Sequence, residues 1–164
     1  MSIECSKNSL LRRVRTIADF QFGNGAGAAV FPDECEFQLS TTGRIRQILL
    51  GKTRLATVRA QDGRLTLGYA GASRLMPACR APAYRVTIRE DVTPFVAAGK
   101  NAMAKHIVGA DPGIRAGDEV LVVGDGDTLV ATGVALLGGA EMLAFNYGVA
   151  VKVRQGRDFE CFQT

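Results

Sequence analysis

Leu10, Leu11, Val14, Ile17 and Ala18 recur at helical spacing, with Arg12, Arg13 and Arg15 on or beside the opposite side, so the chain opens on an amphipathic helix. From Cys35 the period changes to two. Cys35, Phe37 and Leu39 face one way, Glu36 and Gln38 the other, and Thr42-Gly43 turns the chain into a returning segment from Arg44 to Leu50. A Gly51-Lys52 turn leads to Leu55–Arg59, and Asp62-Gly63, a strong hairpin signal, leads to Leu65–Leu67. The pattern predicts an antiparallel meander, and Tyr69–Met76 a helix that covers one of its faces. Pro77 and Pro82 bracket a stretch of low hydrophobic content, which places a domain boundary between residues 1–80 and 83–157.

Beyond the boundary Tyr84, Val86 and Ile88 alternate with Arg85, Thr87 and Arg89, a first strand. Thr93-Pro94 reads as a helix start with Thr93 as its cap, and Gly99 as the stop. Met103–Val108 alternates, with Met103, Lys105 and Ile107 on one side and Ala104, His106 and Val108 on the other, and is expected to be one strand. Asp111-Pro112 begins about one helical turn. Glu119–Val123 is an apolar strand, Asp125-Gly126 a hairpin turn, Thr128–Ala135 its return, and Ala140–Phe145 a helical turn. The last segment, Gly148–Arg154, puts Val149, Val151 and Val153 inward and Ala150, Lys152 and Arg154 outward. The class is α+β: an N-terminal antiparallel sheet with covering helices, then a small mixed β-barrel with short helices.

Composition narrows the function classes. Twenty Lys and Arg against 16 Asp and Glu in 164 residues give a net charge of +4, which favours anionic partners. No apolar run approaches the ~20 residues of a spanning helix and the N-terminus lacks a signal-peptide core, so no membrane partner is expected and the location expected is cytoplasmic. Cys5, Cys35, Cys79 and Cys161 form no C-x-x-C pair, and the single histidine, His106, has no neighbouring ligand set. Reduced, partly buried thiols and neither a metal nor a cofactor are the expectation. The glycines of Asp19–Gly27 lack the spacing and the strand-then-helix context of a dinucleotide loop; they read as a turn packed by Phe20 and Phe22 before the strand-like Ala29-Val30-Phe31. The carboxylates Asp118, Glu119, Asp125 and Asp127 sit at a strand start and a turn, with no nucleophile beside them, so the reading is of a protein without catalysis.

Residue order supplies the most specific signal. Phe95-Val-x-x-Gly-Lys100, Ala104-Lys105, Ala110-Asp-Pro112, Gly117–Val123, Gly133-x-Ala135, Glu141-Met142 with Phe145, and Gly148–Arg154 together resemble a PUA domain, an RNA-binding module. Ala18–Gly23, Gly27 with Phe31, Ser40–Arg46, Leu55–Gly63 with Leu65–Leu67, and Gly71-Ala72 with Leu75 are similar to the small domain that precedes PUA in archaeal tRNA-guanine transglycosylase and archaeosine synthase, whose catalytic barrel has no counterpart here.

The resemblance implies an RNA surface made by the glycine loop, the strand after it and the last strand: Gly99, Lys100, Lys105, Lys152 and Arg154. Glycine lets another backbone approach, lysines act as point charges, and arginine stacks or binds bidentately. Ala102 and Ala104 are expected to keep that surface flat for a base. Arg44 and Arg46, two apart in one strand, either extend the basic track or form the exposed side of the meander. The implied partner is RNA, tRNA near its acceptor end; the alternative is a subunit that docks on a separately encoded RNA-modification enzyme.

Overall fold

A computed structural model describes residues 3–158. Cys161 lies outside the described residues, as does the side chain of Cys5. The chain divides into two compact units, Met1–Cys79 and Arg80–Thr164.

In the first unit the opening periodicity yields α1, Ile3–Phe22, which buries Leu11, Val14, Ala18 and Phe22. The next helix, α2 (Ala26–Val30), occupies the stretch expected to be strand-like, and Phe20 is not packed in the turn but 91% exposed. Two local features favour a helix there. The Asp19 carboxylate accepts the Gly27 N–H at 2.7 Å, and Gly27 lies so close to α1 that a Cβ would stand 2.3 Å from the Arg15 carbonyl oxygen. The glycine that suggested a loop is thus needed for the close approach of two helices.

Strands β1 (Glu36–Leu39), β2 (Ile45–Leu50), β3 (Thr53–Val58) and β4 (Leu65–Leu67) form an antiparallel sheet in that order, followed by α3 (Tyr69–Leu75). Register gives the sheet two unlike faces. Phe37, Ile48, Ala56 and Leu67 stand opposite one another in one row, of which Ile48, Ala56 and Leu67 are fully buried. The neighbouring row is Gln38, Gln47, Thr57 and Thr66, on the other face because successive side chains alternate.

The second unit is a nearly closed mixed barrel. Its strands are β5 (Arg85–Ile88), β6 (Ala102–Met103), β7 (Ile107–Ala110), β8 (Glu119–Val123), β9 (Leu129–Ala135) and β10 (Val149–Gly156), in the spatial order β6-β10-β9-β8-β5-β7. Helix α4 (Thr93–Ala97) follows β5, and α5 (Gly139–Ala144) follows β9. All pairings are antiparallel except β5 with β8. Val86, Val120, Val122, Val130, Met142 and Val151 belong to its core, and β8 is buried along its whole length, its apolar run over residues 120–123 together with Glu119.

Three expectations for this unit are corrected. The segment Met103–Val108 is not one strand: β6 and β7 are the two edges of the sheet, joined by a 3-10 turn over Ala104–His106. Alternation persists across a three-residue corner, so periodicity alone cannot show that the strand changes partner from β10 to β5. Thr93 is not a cap, because a 3-10 turn over Glu90–Val92 runs directly into α4; its hydroxyl instead donates to the Arg89 carbonyl at 3.2 Å. Ala150 does not point outward but is fully buried beside an irregularity in the β10–β6 register between Val149 and Val151.

Candidate nucleic-acid interface

Helix α4 ends in a glycine-dependent lock. Gly99, at φ 107°, donates to the Val96 carbonyl at 2.9 Å, and Lys100 donates from its main chain to the Phe95 carbonyl at 3.0 Å. This nested pair of bonds is a Schellman motif, which needs a left-handed residue at Gly99 and throws Lys100 outward. The next residue fixes the direction of the loop. Asn101 Oδ1 accepts the Val153 N–H at 3.0 Å, and β6 then pairs with β10 through Ala102 opposite Val151 and Met103 opposite Val149. The residues after Lys100 and Lys152 are therefore bonded directly, and the glycine loop lies along the last strand.

Lys100, Lys105 and Lys152 are exposed, and among the described residues no carboxylate pairs with them. Lys105 stands on the 3-10 corner, which is held by the Ala104 N–H to the Gly148 carbonyl at 2.9 Å. Lys105 thus adjoins the start of β10 while Lys100 adjoins its middle. Ala102 and Ala104 do not floor this surface; both are buried in the barrel core.

Arg154 is differently placed. Its guanidinium reaches across β9 to Glu119 Oε2 at 2.5 Å, and the Glu119 side chain is only 4% exposed. A carboxylate that deep requires a partner, so Arg154 neutralises β8 from the outer surface before it can serve any ligand. Arg89 is also engaged: it holds Asp91 at 2.6 and 3.0 Å, and that hydrogen bond keeps the Asp91 carboxyl below its usual range.

Comparison with known proteins matches both units. Residues 84–157 match the PUA domain, and residues 12–82 match the patch-forming domain C2 of tRNA-guanine transglycosylase. The chain is a PUA-domain protein with a C2-type domain ahead of it. The tRNA-guanine(15) transglycosylase of Pyrococcus abyssi is 49% identical over 151 residues, which make up 92% of this chain and 26% of the relative. The chain therefore spans about a quarter of the length of that curated relative. Two solved structures share the fold. A hypothetical protein from Pyrococcus horikoshii gives a TM-score of 0.70 at 24% identity, covering 92% of this chain and 93% of its own. A conserved PUA domain protein from Thermoplasma acidophilum gives 0.61 at 22%, covering 92% and 89%.

Arg44 and Arg46 belong to the C2 unit. They line a groove of ≈ 810 Å³ together with Arg13 and Arg59. Within the PUA unit, sequence reasoning missed Asn101, whose role depends on a partner far along the chain, and Phe95, 62% exposed on α4 beside the loop. An exposed phenylalanine within the resembling motif was the available signal for the latter. The rings of Phe145 and Tyr147, stacked at 5.9 Å, were also missed. Among the described residues no cluster of His, Cys, Asp and Glu could hold a metal ion, and no helix is long and apolar enough to cross a membrane.

Proposed function

We propose that this protein binds RNA through its PUA unit, gripping structured tRNA near the acceptor end in connection with tRNA modification. The observation that carries the reading is the Asn101–Val153 bond, because it brings a glycine loop bearing Lys100 against the strand bearing Lys152, with no competing carboxylate on either lysine among the described residues. Gly99, Lys100, Lys105 and Lys152 form the proposed surface, with Arg154 as its structural border. Exposed Phe95 supplies an aromatic face on which an unpaired base can stack. The name of the Pyrococcus abyssi relative points to tRNA as the RNA, and the C2 unit supports the same association.

The test is a tRNA-binding titration of Lys100→Glu and Lys152→Glu. Each should weaken binding on the order of tenfold, and the double variant should flatten the salt dependence by about 1 to 2 in log–log slope, one phosphate per lysine. Unchanged affinity in both would sink the surface assigned.

A second reading has its own support. Phe145, Tyr147 and Leu143 are all exposed around the end of α5, an apolar patch suited to a protein partner such as a separately encoded modification enzyme. Copurification of such an enzyme, resistant to nuclease and lost in Tyr147→Glu, is the result that favours docking over direct RNA binding.

A further inference from the structure

The groove of the C2 unit combines features that neither the fold nor the proposed PUA surface requires. Arg13 enters it from α1, Arg44 and Arg46 from the β1–β2 turn and β2, and Arg59 from the end of β3. Among the described residues no carboxylate lines it. Arg59 is engaged with Asp62 at 2.7 Å, whereas among the described residues no hydrogen bond or ion pair occupies the guanidinium of Arg13, Arg44 or Arg46. Three like charges from separate elements around one concavity repel one another, and the fold gains nothing from bringing them together unless an anion enters.

Register explains how Arg46 comes to be there. Gln38 stands opposite Gln47, but Leu39 stands opposite Ile45, so Arg46 is an extra residue in β2. A bulge of this kind re-aims a side chain, and Ile45, Arg46 and Gln47 all line the groove. The expectation that Arg44 and Arg46 share a plain strand face is thereby refined: they meet at a distorted rim.

The rest of the lining is chemically suited to a base. Gln38 and Gln47 face each other across β1 and β2 with Thr57 next in the row, offering amide donors and acceptors side by side. Leu39, which is about half exposed, Ile17 and Val58 supply apolar surface among the arginines. A volume of ≈ 810 Å³ falls in the range of sites that take a nucleotide-sized ligand.

We propose that this groove is a second nucleic-acid site, which holds an unpaired ribonucleotide segment with phosphodiesters on Arg13, Arg44 and Arg46 and a base edge on Gln38 and Gln47. The proposal rests on the reading that the protein binds RNA, but on different residues from the PUA surface. Single-stranded RNA is favoured over an acidic peptide because a peptide carboxylate would use the arginines and leave the paired glutamine amides and the apolar wall without a role.

The experiment is an NMR titration of the full chain with a short mixed-sequence single-stranded RNA, following the side-chain amide resonances of Gln38 and Gln47. Both should shift in the wild type and equally in the Lys100→Glu/Lys152→Glu variant, so that loss of the PUA surface does not mask the groove. In Arg13→Ala/Arg44→Ala/Arg46→Ala the shifts should vanish, affinity for the oligonucleotide should fall at least tenfold, and the salt slope should fall by about 2. Gln47→Leu, with every arginine kept, should weaken binding without changing that slope. Shifts confined to the PUA unit would overturn the proposal. So would a poly-glutamate peptide that shifts both glutamines at the same concentration as the RNA, since that would make the site one for acidic protein.

Discussion

Asn101 Oδ1 accepts the N–H of Val153 at 3.0 Å, so one side chain holds the glycine loop against the last strand of the barrel. Asn101→Ala removes that acceptor at an exposed position where water can partly replace it, and should cost about 0.5–1.5 kcal/mol. Because the loop also loses its direction, tRNA affinity should fall more than the small change in urea midpoint suggests. Asn101→Asp keeps an acceptor oxygen and should recover the stability, though its added negative charge should not recover affinity.

Arg154 and Glu119 make charge reversal at the end of β10 a stability experiment before it is a binding one. Arg154→Glu removes the guanidinium that ion-pairs with the buried Glu119 and sets a second carboxylate toward it; the expected loss is about 2–3 kcal/mol in urea denaturation. Adding Glu119→Gln should return part of that. Lys152→Glu, on the exposed side of the same strand, should stay within about 0.5 kcal/mol of the wild type.

Cys35 is fully buried, and that burial pushes its thiol from 9.0 up to about 11, against weaker opposing pulls from Arg74, Arg15 and Lys7. A raised value means the fold holds the neutral thiol. Its contribution is complete below about pH 9 and is lost progressively as the pH rises through about 11, reaching roughly 3 kcal/mol above both values. Urea midpoints should therefore fall with pH more steeply for the wild type than for Cys35→Ala across that window, and native Cys35 should resist alkylation at neutral pH.

Gly27→Ala places a Cβ 2.3 Å from the Arg15 carbonyl oxygen, a rigid backbone atom that cannot step aside as a side chain would. Separation of α1 from α2 is the only relief. A loss of about 1–3 kcal/mol is expected by thermal or urea unfolding, whereas Gly43→Ala, in the exposed hairpin turn at φ 79° with open space around it, should cost about 1 kcal/mol from backbone strain alone.

Elements whose partners are near in sequence were legible. The meander of β1 to β4 follows from alternation and Gly-containing turns, and the β8–β9 hairpin from an apolar run closed by Asp125-Gly126. The errors lie where a distant contact decides. Ala29-Val30 has strand-like residues but is helical because α1 packs against it, and Ala104–His106 continues an alternating pattern although it is a corner between two partner strands. The candidate site divided in the same way. Exposure of Lys100 and Lys152 could be read from a glycine stop and a strand period, whereas Ala102 and Ala104 were misassigned because small residues fit a flat surface and a tight core equally well. Arg154 was correctly placed outward, yet only the structure shows the carboxylate it serves two strands away.

The edges of the barrel, β6 and β7, are joined by the three residues Ala104–His106 rather than by a ladder of hydrogen bonds. That makes the corner a seam: it is held by the Ala104 N–H to the Gly148 carbonyl and by the Arg89 N–H to the His106 carbonyl, while β8 and β9 are buried inside the sheet. Amide hydrogens at the seam should exchange with solvent well before those of β8. A ligand seated on Lys105 and the adjoining β10 would act as a clasp across it, so occupancy should be readable as slowed exchange at Ala104 and Val153 with no change of shape.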